Sequence, residues 1–361
     1  MKKIIKLFDP VITSKEENYL LNALKSSHWA SGAGSNLVNK FEKRFKEYIG
    51  AQSCVAVNSG TAALHLALSV ANVSEREVIL PALTFVSTAH AALYNNAKAV
   101  FADIDPNTLC MDPDSVKKQI TKKTKVILPV HFAGMPADLL QLQHLATSSN
   151  SMLIDDAAHA AGAKFSNKRI GSLTALSCFS FHPVKNLAMP TGGLVAINRK
   201  NHKQITKSLL SERWCGIVDR KGVDYDVKNL GWNFYMNEFS AAIGLAQLSS
   251  LDKMNKKRLK VALRFHREFN LEQKMPLNKD AAYHFYWILV KDRDKFRKKL
   301  SESGIETGIH YKPIHKMTMY KNNCKLPITE KVSQEIVTLP THPNLTDDDT
   351  SKIIEYVNKF C

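Results

Sequence analysis

Residues 151–163 read SMLIDDAAHAAGA. An apolar run of strand length, Met152-Leu153-Ile154, ends in two consecutive acids, Asp155 and Asp156, and passes into an alanine-rich segment carrying His159. A strand without polar alternation is buried on both faces, and acids at its carboxyl end lie at the edge where open α/β sheets collect ligands. The same grammar repeats outward in both directions. CVAV (54–57), EVIL (77–80), AVFADI (99–104), KVILPV (125–130), SCFSF (177–181) and GLVAIN (193–198) also read as strands, separated by helical patterns such as 62–71 and 137–148. Buried strands alternating with helices predict an α/β fold, a mostly parallel central sheet flanked by helices on both faces.

At 361 residues the chain exceeds the size at which single cores stop growing, so two domains are expected. Asn237 is a plausible cap for a helix of about eight turns running through NEFSAAIGLAQLSSLDKMNKKRLKVALRFHREF. Such a helix is long enough to carry the chain between domains, which places a large domain at 1–250 and a smaller α+β domain at 251–361. No apolar run reaches the length of a membrane helix, and Asp9 and Pro10 interrupt the basic start before a signal-peptide core develops. The expected location is the cytoplasm, away from membranes. The six cysteines are far apart with no Cys-x-x-Cys pair and are expected to be free thiols. Lys and Arg outnumber Asp and Glu by 50 to 33, a formal +17. The excess is spread along the chain as solvated helix faces would spread it, and no helix-turn-helix, zinc-ligand or RNA-binding signature accompanies it. Nucleic acid is therefore not an expected partner.

Three short motifs carry chemistry. In AVNSGTAALHLAL a strand meets a helix at Asn58-Ser59-Gly60-Thr61, where unsatisfied N–H groups, the positive helix end and a glycine suit a phosphate; the same residues serve equally as ordinary caps. Asp156, at the strand end, requires a cationic partner, which a protonated ring nitrogen of a cofactor supplies, with His159 three residues on able to reach another polar atom of that ring; an acid capping the next helix is the plainer alternative. In SFHPVKN (180–186), Lys185 follows aromatic and aliphatic neighbours. Burial there favours the neutral amine that attacks a carbonyl, although a lone lysine also snorkels over apolar surface. Ser180 offers a hydroxyl to the phosphate. Taken together, phosphate cradle, strand-end acid and a lysine 29 residues beyond that acid form the constellation that pyridoxal 5'-phosphate requires.

At this point the residues resemble a family, the DegT/DnrJ/EryC1/StrS sugar aminotransferases, which are pyridoxal-phosphate enzymes of fold type I. The resemblance runs from WASGAGSNLVNKFEKRF to GIHYKPIH and includes NSGTAALHLAL, LPALTFVSTAHAALYNNAKAVFADID, PVHFAGMPADL, DDAAHAAGA, SFHPVKNLAMPTGGLVAIN and GWNFYMNEFSAAIGLAQL. It implies that Lys185 is the Schiff-base lysine and proton shuttle, that Asp156 partners the pyridine nitrogen, and that His159 lies near the ring 3-hydroxyl. It implies phosphate contacts from Gly60, Thr61 and Ser180, and stacking of Phe85 on the ring. Asn233 resembles an asparagine that reaches the cofactor phosphate of the neighbouring subunit, implying a homodimer with shared sites. His310, Tyr311 and His315 resemble part of the nucleotide-sugar site. The implied reaction takes an amino group from L-glutamate to a nucleotide-diphosphate keto-6-deoxy-sugar, at C4 rather than C3, in amino-sugar and surface-polysaccharide synthesis. No metal is implied.

Two positions depart from the family pattern. Thr191 stands where Thr-Gly-Glu-Gly-Gly would place a glutamate, though Gly192-Gly193 remains, and Tyr235 stands where GxNY is usually followed by arginine. Both bear on substrate identity more than on cofactor. Two rival readings are a dehydratase-like reaction on a keto-sugar, against which Lys185 speaks because such relatives carry histidine there, and a non-catalytic binding protein retaining the fold. Borohydride reduction of cofactor-saturated protein followed by peptide mapping is expected to place a pyridoxyl group on Lys185; an unmodified peptide would refute the assignment.

Overall fold

Seven strands build the sheet that SMLIDD predicts. They are β1 (Ser53–Val57), β2 (Glu77–Pro81), β3 (Lys98–Ala102), β4 (Thr124–Ile127), β5 (Met152–Asp156), β6 (Leu176–Ser180) and β7 (Gly193–Ile197). In this computed structural model, which describes residues 4–321 and 323–361, their order is β1-β7-β6-β5-β4-β2-β3. β5 is thus the central strand. Its neighbours β4 and β6 run parallel to it, as do β2 and β3 to one another, and β7 alone runs antiparallel, to both β6 and β1. The predicted α/β class and largely parallel sheet are both present; the reversed β7 is the one feature that apolar runs do not encode.

The strands lack polar alternation because both faces are covered. Cys54 and Ala56 belong to the apolar layer shared with helices Asn36–Ile49, Leu139–Ser148 and Glu238–Glu268, whereas Val55 and Val57 belong to the layer shared with Gly60–Val70, Ser87–Tyr94 and His202–Glu212. Side chains alternate along a strand. Leu153 accordingly joins the first layer and Ile154 the second, so Asp155 and Asp156 leave β5 on opposite faces.

The long helix begins as its sequence indicates: the Asn237 side chain accepts from the Ser240 N–H at 2.8 Å, and the helix runs 31 residues, about 46 Å at the standard rise. Beyond it β8 (Tyr286–Leu289) and β9 (Ile336–Leu339) form an antiparallel pair packed with helices Arg293–Glu302, Pro327–Glu335 and Asp347–Phe360. The chain's beginning joins this smaller unit. Ile5 donates to Gly304 O at 2.8 Å and accepts from Glu306 N at 2.9 Å. Phe285, Tyr286 and Trp287 of the smaller unit belong to the same apolar core as Phe41 and Phe179 of the larger one, so the two units meet across an apolar contact. We propose that the chain divides within the long helix near residue 250, with the segment from Ile5 to Phe8 crossing to the smaller unit.

The glycine pair that follows Thr191 serves the fold. A Cβ on Gly193 would lie 2.2 Å from Ser59 O and 2.8 Å from Gly60 N, distances no backbone can tolerate. Gly193 at the head of β7 thereby lets the turn before helix Gly60–Val70 close against the sheet. Gly193→Ala is expected to lower stability by about 1–3 kcal/mol through this overlap, read as a fall in the denaturation midpoint, and to weaken cofactor retention; an unchanged midpoint would show that the turn yields freely.

Candidate active site

A cleft of about 390 Å³ opens at the carboxyl ends of the parallel strands. The turn after β1 brings Ser59, Gly60 and Thr61; the turn after β2 brings Thr84, Phe85, Ser87 and Thr88; β5 ends in Asp156; β6 ends in Ser180 and leads to Lys185. From the smaller unit and the N-terminal segment come His310, Tyr311 and Phe8.

Helix Gly60–Val70 starts at this cleft. Ser59 caps it, its Oγ accepting from Ala62 N at 3.1 Å and its carbonyl from Ala63 N at 3.1 Å. The N–H groups of Gly60 and Thr61 are left without an acceptor among the described residues. Ser180 lies directly on this turn, its Cβ 2.7 Å from where a Gly60 Cβ would stand, so only glycine fits. Thr61 Oγ1 bonds Ser87 Oγ at 2.7 Å. Free amides, a positive helix end and hydroxyls on three sides make a cradle for a phosphate dianion.

Asp156 is buried, and both its oxygens are bonded: Oδ2 accepts from Thr88 Oγ1 at 2.9 Å and Oδ1 from Ala158 N at 3.0 Å. Burial pushes its pKa up, while the Ala158 N–H, the Thr88 hydroxyl and the Lys185 charge pull the other way. A carboxylate so enclosed gains most from a further cationic partner across the cleft. Asp155, on the other face, is bonded instead to His131 and Thr174.

Lys185 lines the cleft and has no carboxylate within 4 Å among the described residues. Burial lowers its pKa to about 8, with Asp156 partly opposing the shift. His159 is buried and held neutral, first by burial and then by the charge of Lys185. Its Nε2 pairs with Tyr311 Oη at 3.2 Å, and its Nδ1 is buried with no partner. His310 bonds Thr338 through Nδ1 at 2.7 Å, and burial pushes its pKa down to about 3. Phe85 keeps 57% of its surface exposed beside Tyr311, with ring centroids 6.1 Å apart. An aromatic of that size left bare on a cleft wall is available to cover a planar ligand. The donor set fits pyridoxal phosphate: free amides for the phosphate, a bonded carboxylate for a ring cation, an unpaired amine for the aldehyde, and an orphaned His159 nitrogen for a further polar atom.

Of the residues expected from sequence, Gly60, Thr61, Phe85, Asp156, His159, Ser180, Lys185, His310 and Tyr311 line this one cleft. Asn233 and His315 do not. Asn233 is exposed at the surface, its carbonyl accepting from Asn58 Nδ2 at 3.2 Å. His315 is completely buried behind the cleft, where Nε2 meets Glu330 at 3.2 Å and the ring approaches Phe101. Thr191 lines the cleft and donates to Asn58 O, while Tyr235 lies outside the lining. Sequence reading missed Thr84, Thr88 and Phe8. Thr88 sits one helical turn after Thr84, to which it bonds at 3.0 Å, and only the fold reveals that this spacing aims a hydroxyl at Asp156. Phe8 reaches the cleft through the pairing of the N-terminal segment with Ile305, which no local pattern announces.

The described residues contain no helix long and apolar enough to cross a membrane. No disulfide joins cysteines among the described residues. The model of the DegT/DnrJ/EryC1/StrS aminotransferase family matches residues 10–358. GDP-perosamine synthase of Escherichia coli O157:H7 is 33% identical over 366 residues, covering 99% of both chains. Among solved structures, Helicobacter pylori PseC, an aminotransferase of pseudoaminic acid biosynthesis, superposes with a TM-score of 0.93 at 27% identity over 99% of both chains. Spr1654 of Streptococcus pneumoniae, solved in pyridoxal-phosphate and pyridoxamine-phosphate forms, gives 0.92 at 27% identity over 99% of this chain and 97–98% of that one.

The depressed pKa of Lys185 has a direct signature. A group with a pKa of about 8 is neutral in roughly one molecule in ten at pH 7, against a negligible fraction for an ordinary lysine. Because the neutral amine is the nucleophile, adduct formation at Lys185 in cofactor-free protein is expected to accelerate as pH rises and to level off above about 8, followed by quenching and peptide mass analysis. Acceleration continuing past pH 10 would contradict the environment described.

Proposed function

As a member of the DegT/DnrJ/EryC1/StrS aminotransferase family the chain is a pyridoxal-phosphate-dependent sugar aminotransferase, and we propose that it moves an amino group from L-glutamate to a nucleotide-diphosphate 6-deoxy-keto-sugar, at C4 in preference to C3. The observation that carries this reading is that the Lys185 amine, the Asp156 carboxylate and the Gly60–Thr61 amides face a single cleft. The name of the GDP-perosamine synthase relative supports a GDP-borne amino sugar as the product class, and with it a place in surface-polysaccharide synthesis in the cytoplasm.

Bound pyridoxal phosphate supplies an electron sink for the pair left when a C–H bond is broken. The chain's residues do the rest. The Gly60 and Thr61 N–H groups, with the Thr61 and Ser180 hydroxyls, would hold the phosphate. Asp156 would keep the ring nitrogen protonated, its orientation fixed by Thr88. Phe85 would lie against the ring, and His159 would offer its unpartnered Nδ1 to a polar atom of it. Lys185 would hold the aldehyde and, once released, would move a proton through Nζ, whose pKa of about 8 suits it to accept and release at near-neutral pH. His310 and Tyr311 would meet the sugar, with His315, packed against Glu330, supporting their segment.

The exposed position of Asn233 supports a homodimer in which this residue serves the partner subunit's cleft. Exposed apolar side chains on the same side of the sequence, Leu230 at 87% and Val223 at 94%, favour burial against a second copy.

The test is an assay with purified holoenzyme, L-glutamate and, in parallel, GDP- or dTDP-linked 4-keto- and 3-keto-6-deoxy-hexoses, read by mass spectrometry and product NMR. The expected outcome is 2-oxoglutarate together with a 4-amino sugar. Amination of a 3-keto substrate alone, or no transfer to any keto-sugar, would overturn the substrate assignment. Lys185→Ala is expected to abolish turnover with the melting temperature preserved.

A further inference from the structure

PVHFAGMPADL places His131 just past β4, and the proposed function leaves this residue without a task. His131 is completely buried, as is Asp155, and the two side chains meet at 2.7 Å, Nε2 to Oδ2. The protons can be assigned from the neighbours. His131 Nδ1 accepts from Ala137 N at 3.0 Å, so the ring carries its proton on Nε2 and donates it to Asp155. On the other side Thr174 Oγ1 lies 2.5 Å from Asp155 Oδ1 and 3.0 Å from Leu176 O, with Ser177 Oγ 2.9 Å away. Asp155 is thus held at both carboxylate oxygens by buried side chains.

The same histidine grips the next residue through its main chain. His131 N donates to Asp156 O at 3.1 Å, and Asp156 N donates to Pro129 O at 2.9 Å. The peptide that bears the cleft carboxylate is thus clamped twice by one segment: directly, and through the side chain of its neighbour on the opposite face of β5. Without the His131 side chain the Asp155 carboxylate would lose a donor in a fully buried site, which the end of β5 can relieve only by moving. Asp156 moves with it.

We propose that His131 and Asp155 form a positioning pair that sets where the Asp156 carboxylate stands against the cofactor's ring nitrogen. The proposal rests on the role given to Asp156 under the proposed function, and Asp156→Asn tests that role by itself.

The experiment compares His131→Gln, whose amide can accept from Ala137 and still reach Asp155, with His131→Asn, which can keep the Ala137 bond and is too short for Asp155. Three quantities are read: the dissociation constant of pyridoxal phosphate for the cofactor-free protein, the pH midpoint of the holoenzyme's near-visible absorbance, and the melting temperature of the cofactor-free protein. His131→Gln should stay within about twofold of the parent, whereas His131→Asn should bind cofactor about tenfold more weakly, the scale usual for loss of a supporting hydrogen bond behind a ligand, with its absorbance midpoint displaced in the direction that Asp156→Asn displaces it. A purely structural pair would lower the melting temperature alone; an unmoved dissociation constant and midpoint in His131→Asn would overturn the proposal. If His131→Asn does not fold, Asp155→Ser, which removes the buried charge together with the bond, carries the same comparison with the same two outcomes. Should Asp156→Asn itself leave the midpoint unmoved, the reading of Asp156 fails, and the clamp is then judged on the dissociation constants alone.

Discussion

A carboxylate buried at the end of the central strand sets the terms for everything around it. Among the described residues no arginine pairs with Asp156; it has a threonine hydroxyl, a backbone N–H and, across the cleft, an amine. Such a group is tolerable only where its surroundings are built to hold a negative charge. The sheet supplies that setting. Parallel strands deliver their carboxyl ends to one edge, and the helices that follow β1 and β2 deliver N-terminal amides and short hydroxyl side chains to the same place.

Lys185 is the complement of that constraint. Its loop enters the cleft after β6, where removal from water weakens its hold on a proton while Asp156 restores part of it. The balance puts the amine near the point where it is both nucleophile and acid. The two groups are separated by 29 residues yet meet at one sheet edge, Asp156 at the end of β5 and Lys185 in the loop after its neighbour β6. Parallel pairing turns a sequence spacing into proximity at one cleft.

Much of this was legible in the sequence, for physical reasons. Unalternated apolar runs reported strands covered on both faces, and all seven runs named there lie in the sheet. Asp156, the Ser59-Gly60-Thr61 turn and Lys185 reach the cleft because they sit at or a few residues beyond strand ends, where position along the chain largely fixes position relative to the cleft. Residues whose role depends on which strands are neighbours escaped notice. Thr88 acts on a carboxylate 68 positions away, and His131 on one 24 away. His315 shows the opposite error: three residues of an extended, turning segment separate it from cleft-lining His310 and Tyr311, and the turn Ile314–Lys316 carries its ring into the interior. Residue type suggested a site there, but backbone direction decided otherwise.

The crossing of the N-terminal segment to the smaller unit bears on how the protein is made. The segment that seats the neighbourhood of Phe8, Gly304 to Glu306, is translated some three hundred residues after it. Until then the cleft lacks Phe8 in place along with His310 and Tyr311, so the nascent sheet can mature while its cofactor chamber stays unroofed. Synthesis through Tyr311 is what completes the chamber, and a chain cut short before that point is a scaffold unable to enclose its ligand.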